Sequence, residues 1–286
     1  MIYKIKKLGV VFLSMIGMIF LFITLVGIGN YFQSIDLHIV GNIFMLLFPV
    51  AVYFAVKIFN KRINKLNSKT YGFGFNKFAS TFLLGVGFAL GLQTFILLIS
   101  NLFFGIEIEF NGFKNDFEKP LLNLFTTLIL VGVWEEFYFR GLVFNTFLKT
   151  SFGFHPSALI SSLLFSIVHW LSFDMAETSW LWYLGIMFVG YLLVFIYSYT
   201  KSIWSVVSFH FIWNFMTYLM DNRENEIGFY EVSYYIEHLK KIDEITVVCL
   251  GLILGIVFSL SRKGRFYDKI NAFENLITTN NNLLKK

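Results

Sequence analysis

The sequence predicts an all-α fold, a polytopic membrane helix bundle of about eight transmembrane helices. Of its 286 residues, 57% are hydrophobic and only 14% are charged, whereas soluble domains carry about 45–50% apolar and about 25% charged residues. The mean hydropathy is +0.68. Only three prolines occur, which leaves room for long helices. This composition excludes a soluble enzyme, a secreted domain and a disordered chain.

Eight apolar stretches are each long enough to cross a bilayer, which requires about 20 mostly apolar residues. They cover residues 8–29, 39–57, 78–105, 121–148, 157–174, 180–199, 202–220 and 244–261. The fourth is the least apolar, because Glu135, Glu136 and Arg140 interrupt it. An even number of crossings places both termini on one side of the membrane.

The charge distribution predicts that this side is the cytoplasm. When the termini share a side with loop 57–77, Lys149 and Lys201, that side holds 17 of the 23 Lys and Arg residues, and the other side holds five. Short cytoplasmic loops carry an excess of Lys and Arg, so we expect both the N-terminus and the C-terminus to lie in the cytoplasm (N-in and C-in). No basic stripe alternates with stacking aromatics, so no nucleic-acid partner is expected.

The chain divides into three predicted parts. Residues 1–120 hold the first three transmembrane helices, residues 121–220 hold helices four to seven, and residues 221–286 hold an outside loop, the last transmembrane helix and a cytoplasmic tail. The middle part is the expected catalytic core, because it contains the polar residues described next.

Span four carries three ionisable residues that lipid would not tolerate. Each costs about 2.5–3.5 kcal/mol at a helix centre, so they must face the bundle interior or a water-filled cavity. Glu136 and Arg140 are four residues apart and can pair. Glu135 points elsewhere and is left as an unpaired carboxylate, which suits a general base. The alternative is a purely structural salt bridge that Glu135 completes.

Two histidines within predicted spans strengthen the case for a site. His169 lies in span five, and His210 shares one face of span seven with Asn214, four residues on. At 1.5 Å per residue, Glu135, His169 and His210 lie about 21, 18 and 12 Å from the inner boundary. These depths allow the three side chains to lie in one layer of the membrane.

This set of side chains suits peptide hydrolysis without a covalent nucleophile. The glutamate can deprotonate a water, one histidine can share that role, and the second histidine and the Asn214 amide can donate hydrogen bonds to an oxyanion. No cofactor is needed for this chemistry. A zinc site built from Glu135, His169 and His210 remains an alternative, because two histidines and a carboxylate are suitable ligands.

Three motifs, in order on three predicted membrane helices, resemble those of the CPBP family of CAAX-processing and bacteriocin-processing intramembrane endopeptidases, also called the Abi family. They are Glu135-Glu136-x-x-x-Arg140, Phe165-x-x-x-His169 and His210-x-x-x-Asn214. The resemblance implies that Glu135 and His169 activate water and that His210 and Asn214 form the oxyanion site. It also implies that Glu136 and Arg140 support the catalytic glutamate, and that Phe165 packs beside it.

The resemblance leaves the substrate and the metal question open. Family members have been described both as metalloproteases and as glutamate-type enzymes, and we favour the second with no bound metal. The Phe-, Ile-, Lys- and Asn-rich composition suggests a bacterial source. We therefore expect a multi-pass protein of a bacterial plasma membrane that cleaves a membrane-associated peptide or protein. A non-catalytic peptide-binding or bacteriocin-immunity protein is the main alternative, and a proton-coupled transporter is a weaker one.

Overall fold

The computed structural model describes residues 2–67, 70–106, 108–110, 118–150, 152–172, 180–220, 230–232 and 236–279. The helices in these ranges are α1 (Ile2–Ser34), α2 (His38–Phe59), α3 (Phe78–Phe104), α4 (Glu118–Tyr138), α5 (Asn145–Lys149), α6 (Phe154–Ser172), α7 (Trp180–Thr200), α8 (Ile203–Met220), α9 (Ile236–Leu260) and α10 (Gly264–Thr279). Two π-helical segments, Asn60–Asn64 and Phe139–Phe144, continue α2 and join α4 to α5. Two short strands, β1 (Ile108–Phe110) and β2 (Tyr230–Val232), pair antiparallel.

The helical bundle confirms the predicted all-α membrane fold, and each predicted span has a helical counterpart. The small β1–β2 ribbon is a departure from that prediction, and the helical periodicity gave no sign of it. Five helices there are long and apolar enough to cross a membrane, and they contain Gly9–Ser34, His38–Asn64, Phe78–Phe104, Trp180–Thr200 and Lys241–Leu260. The count of eight crossings, the N-in and C-in orientation and the three-part division stay predictions.

Helix α4 occupies the centre of the bundle, between α2 and α8. Helix α1 packs on α2, α3 packs on α8, and both α6 and α9 pack on α7. The outward faces of α1 and α3 are apolar, with Leu13, Phe20, Leu83 and Leu102 each more than two-thirds exposed. Such faces would be unstable in water, and they suit contact with lipid.

A buried polar layer lies at the end of the bundle where α1 begins and α2 ends, which we call the inner end because the sequence predicts that it faces the cytoplasm. Asn64 donates to the Asn60 side chain and to the Thr146 hydroxyl, both at 2.8 Å, and Lys7 Nζ lies 3.4 Å from Asn64 Oδ1. Lys7 precedes the apolar part of α1 and is itself buried. Burial, together with a smaller effect of the charge of Lys149, lowers the pKa of Lys7 to about 8.

The predicted cytoplasmic tail contains the amphipathic helix α10, which docks against this inner end. Its buried residues, Ile270, Phe273 and Ile277, recur at helical spacing on one face. The Phe273 ring lies 5.1 Å from Tyr197 and 6.3 Å from Phe144, centroid to centroid. Lys149 Nζ donates to the carbonyls of Ile277 and Thr278 at 2.9 and 3.0 Å, which caps the C-terminus of α10.

We predict that Phe273→Ala destabilises the bundle. Truncating a buried phenylalanine costs about 3–5 kcal/mol, because it removes buried surface and leaves a cavity. Tyr267→Ala is the matched control, since Tyr267 is 44% exposed on the same helix. Thermal unfolding in detergent should show a much larger loss for Phe273→Ala, and equal losses would contradict the docking of α10.

Candidate active site in the membrane bundle

Glu135 lies where α4 enters the fully packed part of the bundle. Every residue from Glu135 to Leu148 is buried, whereas Leu122 and Ile129, earlier on the same helix, are 63% and 46% exposed. Glu135 and Glu136 are themselves only 6% and 0% exposed. Two adjacent carboxylates at such a depth require partners from other helices.

Glu136 is the centre of a buried hydrogen-bonded network. Its Oε1 accepts from Arg140 Nη1 and from His210 Nδ1, each at 2.8 Å. Arg140 Nη2 also donates to the carbonyl of Gly190 on α7 at 3.1 Å, and its guanidinium lies 4.5 Å from the centre of the Phe165 ring on α6. The predicted pairing of Glu136 with Arg140 is therefore confirmed, and the pair connects four helices.

Glu135 faces two imidazole rings. His169 Nε2 lies 3.7 Å and His210 Nε2 lies 3.8 Å from Glu135 Oε2. Both distances are too long for direct hydrogen bonds but suit a bridging water. In the described part of the chain this buried oxygen has no hydrogen-bond partner.

The partner of Nδ1 in each histidine ring indicates which ring nitrogen carries the hydrogen. His169 Nδ1 lies 2.9 Å from the Phe165 carbonyl oxygen, and His210 Nδ1 contacts the Glu136 carboxylate. Because a carbonyl and a carboxylate only accept, both Nδ1 atoms carry a hydrogen. In the neutral rings, each Nε2 therefore presents a lone pair towards Glu135.

Access to this group of side chains is greatest near His169. The His169 side chain is 16% exposed, against 7% for Glu135 and 6% for His210. The Trp182 ring on α7 lies 6.2 Å from the His169 ring. A largely enclosed site with one more open side suits a reaction that must limit, but still admit, water.

The structure brings six of the seven predicted residues into contact, and the seventh, Asn214, makes none of these contacts. Asn214 is half-buried, one turn after His210 on α8. The Asn214 side chain has no hydrogen-bond partner within the residues that the structure describes. Its amide is thus available for another partner.

Sequence reasoning missed the side chains that hold the π-helical segment after Glu136. The Gly141 carbonyl accepts from Asn60 Nδ2 at 2.7 Å and from Asn145 Nδ2 at 3.0 Å. The Phe139 carbonyl accepts from Ser161 Oγ at 3.0 Å. A signal for these residues was available in the sequence. Asparagine and serine side chains within or beside an apolar span need hydrogen-bond partners, because lipid offers none.

The zinc alternative would need Glu135, His169 and His210 as ligands. Within the described ranges, no group of three or more His, Cys, Asp and Glu side chains is arranged to hold a metal ion. The metal-free site stays a prediction.

We predict that Arg140→Met is strongly destabilising, because it leaves a buried carboxylate without its guanidinium. Breaking a buried pair by removing one partner costs about 3–5 kcal/mol. Adding Glu136→Gln should recover part of that loss, since it removes the uncompensated charge. Arg262→Met is the control, because exposed Arg262 also lies over a phenylalanine ring, 4.3 Å from the centre of Phe258. Equal unfolding free energies for Arg140→Met and Arg262→Met would contradict the proposed importance of the pair.

Comparison with known families gives a match over the segment that contains this site. Residues 117–216 match the model described as type II CAAX prenyl endopeptidase Rce1-like. The match covers about a third of the chain and includes all seven predicted site residues. Comparisons with curated proteins and with solved structures give no match. The matched residues 117–216 contain all three motifs, and this segment is similar to the CPBP family of CAAX proteases.

Proposed function

We propose that this protein is an intramembrane endopeptidase in which Glu135 is the general base. The match of residues 117–216 to the CAAX endopeptidase model supports the assignment as a membrane protease that acts on a peptide or protein. The observation that carries the residue assignment is the convergence of His169 Nε2 and His210 Nε2 on Glu135 Oε2, at 3.7 and 3.8 Å. The site is buried among helices, where a water held by these atoms would be shielded from bulk solvent.

The reaction begins with a water bound between Glu135 and His169. Glu135, assisted by the Nε2 lone pair of His169, removes one proton as the water oxygen bonds to the carbonyl carbon of the peptide. The same proton then passes to the leaving nitrogen as the carbon–nitrogen bond breaks. The His169 ring keeps its orientation during these steps, because its Nδ1 hydrogen bonds to the Phe165 carbonyl.

His210 and Asn214 are the proposed donors to the oxyanion. The Asn214 amide can donate in its ordinary form. His210 already donates from Nδ1 to Glu136, so it can also donate from Nε2 only as an imidazolium. The Glu136 carboxylate would stabilise that charge, which gives Glu136 a second role beside its pairing with Arg140.

The substrate that we propose is a membrane-associated peptide or the membrane-proximal part of a small protein. The location that we propose is a bacterial plasma membrane, on the basis of the composition and of the eight predicted spans. Bacteriocin processing or immunity is a biological context consistent with both.

We predict that Glu135→Gln abolishes cleavage without loss of the folded protein. The amide cannot accept the water proton, and removal of a general base costs about 100-fold or more in rate. The measurement is the peptide content of membranes and medium from host cells that express wild type or Glu135→Gln at equal levels. Glu274→Gln is the matched control, since Glu274 lies on α10, which carries none of the predicted site residues.

Peptide ends that appear with wild type and with Glu274→Gln, but not with Glu135→Gln, would support the assignment and identify the bond. Identical peptide sets from all three would contradict proteolysis. If Glu135→Gln also kept the biological effect of the wild type, the non-catalytic binding or immunity function would be supported instead.

We also predict that activity is independent of a bound metal. The purified protein should contain well under one equivalent of zinc by mass spectrometry, and it should keep its cleavage rate in a strong chelator. A stoichiometric metal, together with inhibition that added zinc reverses, would contradict the glutamate-type mechanism.

A further inference from the structure

Helix α3 lies outside the matched segment, yet it packs closely along α8, which carries His210 and Asn214. At the inner end, the Thr81 and Ser202 hydroxyls are 3.0 Å apart, and Ser208 Oγ donates to the Phe82 carbonyl at 2.8 Å. At Gly85, an added Cβ would overlap the Ser205 carbonyl and the Ser208 hydroxyl. The inner half of α8 is therefore fixed against α3 by close backbone approach.

Further along the same interface, one buried amide makes the contact. Gln93 of α3 is only 4% exposed. Its Nε2 donates to the Trp213 carbonyl at 2.9 Å and to Thr217 Oγ1 at 3.2 Å. Thr217 Oγ1 in turn donates to the Trp213 carbonyl at 2.8 Å. These contacts lie on either side of Asn214, so Gln93 holds the helical turn that presents the Asn214 amide.

Stability alone does not account for an amide at this position. Gln93 Oε1 is buried and has no hydrogen-bond partner within the described ranges, and a buried polar atom without a partner is costly. Without Gln93, Thr217 Oγ1 would still donate to the Trp213 carbonyl. A leucine of similar size would therefore leave no additional polar group of α8 without a partner, and it would remove the Oε1 atom altogether.

We propose that Gln93 is a positioning residue that sets the rotation of the outer half of α8 and thereby directs Asn214 to the oxyanion. The inference rests on the proposed function, and it adds a residue from outside the three motifs. Oxyanion donors act only when their distance to the developing charge is correct. A hydrogen bond between α3 and the Trp213–Thr217 turn fixes that distance in a way that apolar packing cannot.

The experiment measures kcat, KM and the apparent melting temperature for Gln93→Leu, Asn214→Ala and the double variant. The probe is a quenched fluorescent peptide copied from a cleavage site found in host membranes. We expect Gln93→Leu to lower kcat about 5- to 10-fold, which corresponds to one hydrogen bond, with KM within about twofold of wild type. We expect its melting temperature to be no lower than that of wild type.

The double variant separates positioning from general damage. If Gln93 acts through Asn214, Gln93→Leu has no further effect on kcat in the Asn214→Ala background. Ser100→Ala is the matched control, because Ser100 is a buried polar residue of α3 whose hydroxyl donates within its own helix, to Ile96. It should leave kcat unchanged.

Multiplicative effects in the double variant would overturn the inference, as would a wild-type kcat for Gln93→Leu or a loss of kcat explained by a lower melting temperature. If Gln93→Leu does not fold, Thr217→Val removes the bond from Gln93 Nε2 to Thr217 Oγ1 but leaves the bond to the Trp213 carbonyl, and it should give the same pattern with a smaller loss of kcat. An active Glu135→Gln would refute the proposed function itself. An inactive Glu135→Gln with an unaffected Gln93→Leu would refute only the positioning by Gln93.

Discussion

The structure depends on one buried carboxylate that accepts two hydrogen bonds. Glu136 Oε1 binds both the Arg140 guanidinium and His210 Nδ1 at 2.8 Å, and Arg140 extends the contact to the Gly190 carbonyl and to Phe165. In a medium without water, an ionised side chain is tolerated only when its partners are present. Because the Glu136 carboxylate needs these partners, α4, α6, α7 and α8 meet around it. Glu135, the preceding residue on α4, is therefore buried at the same level of the bundle.

The different roles that we propose for Glu135 and Glu136 follow from this arrangement. Glu136 Oε1 has two hydrogen-bond partners that fix this carboxylate, whereas Glu135 Oε2 has two imidazole nitrogens near it at distances that leave space for a water. The helices achieve this geometry by small residues and hydroxyls at their interfaces, as at Gly85 and Ser208 between α3 and α8. Membrane helices associate through such close contacts, because the hydrophobic effect does not drive helices together within lipid.

The sequence predicted the bundle and the pairing of Glu136 with Arg140 because the relevant signals are local. Apolar length identifies a span, and the i, i+4 spacing of Glu136 and Arg140 identifies a pair. Long-range partners have no such signal, so the contacts of Asn60 with Gly141 and of Gln93 with Trp213 appeared only in the fold. Helix α10 was detectable from the spacing of Ile270, Phe273 and Ile277, but it lay within a tail that was interpreted only by its charge.

The most direct test of the account compares substrate binding with cleavage in purified Glu135→Gln reconstituted into lipid discs. If Glu135 is the base and the Glu136 network holds the site, the variant binds a substrate peptide with a Kd within about threefold of the wild-type value, and single-turnover cleavage falls about 100-fold or more. Cleavage by Glu135→Gln at a rate near that of wild type would contradict the central claim, because the water would then be activated by another group.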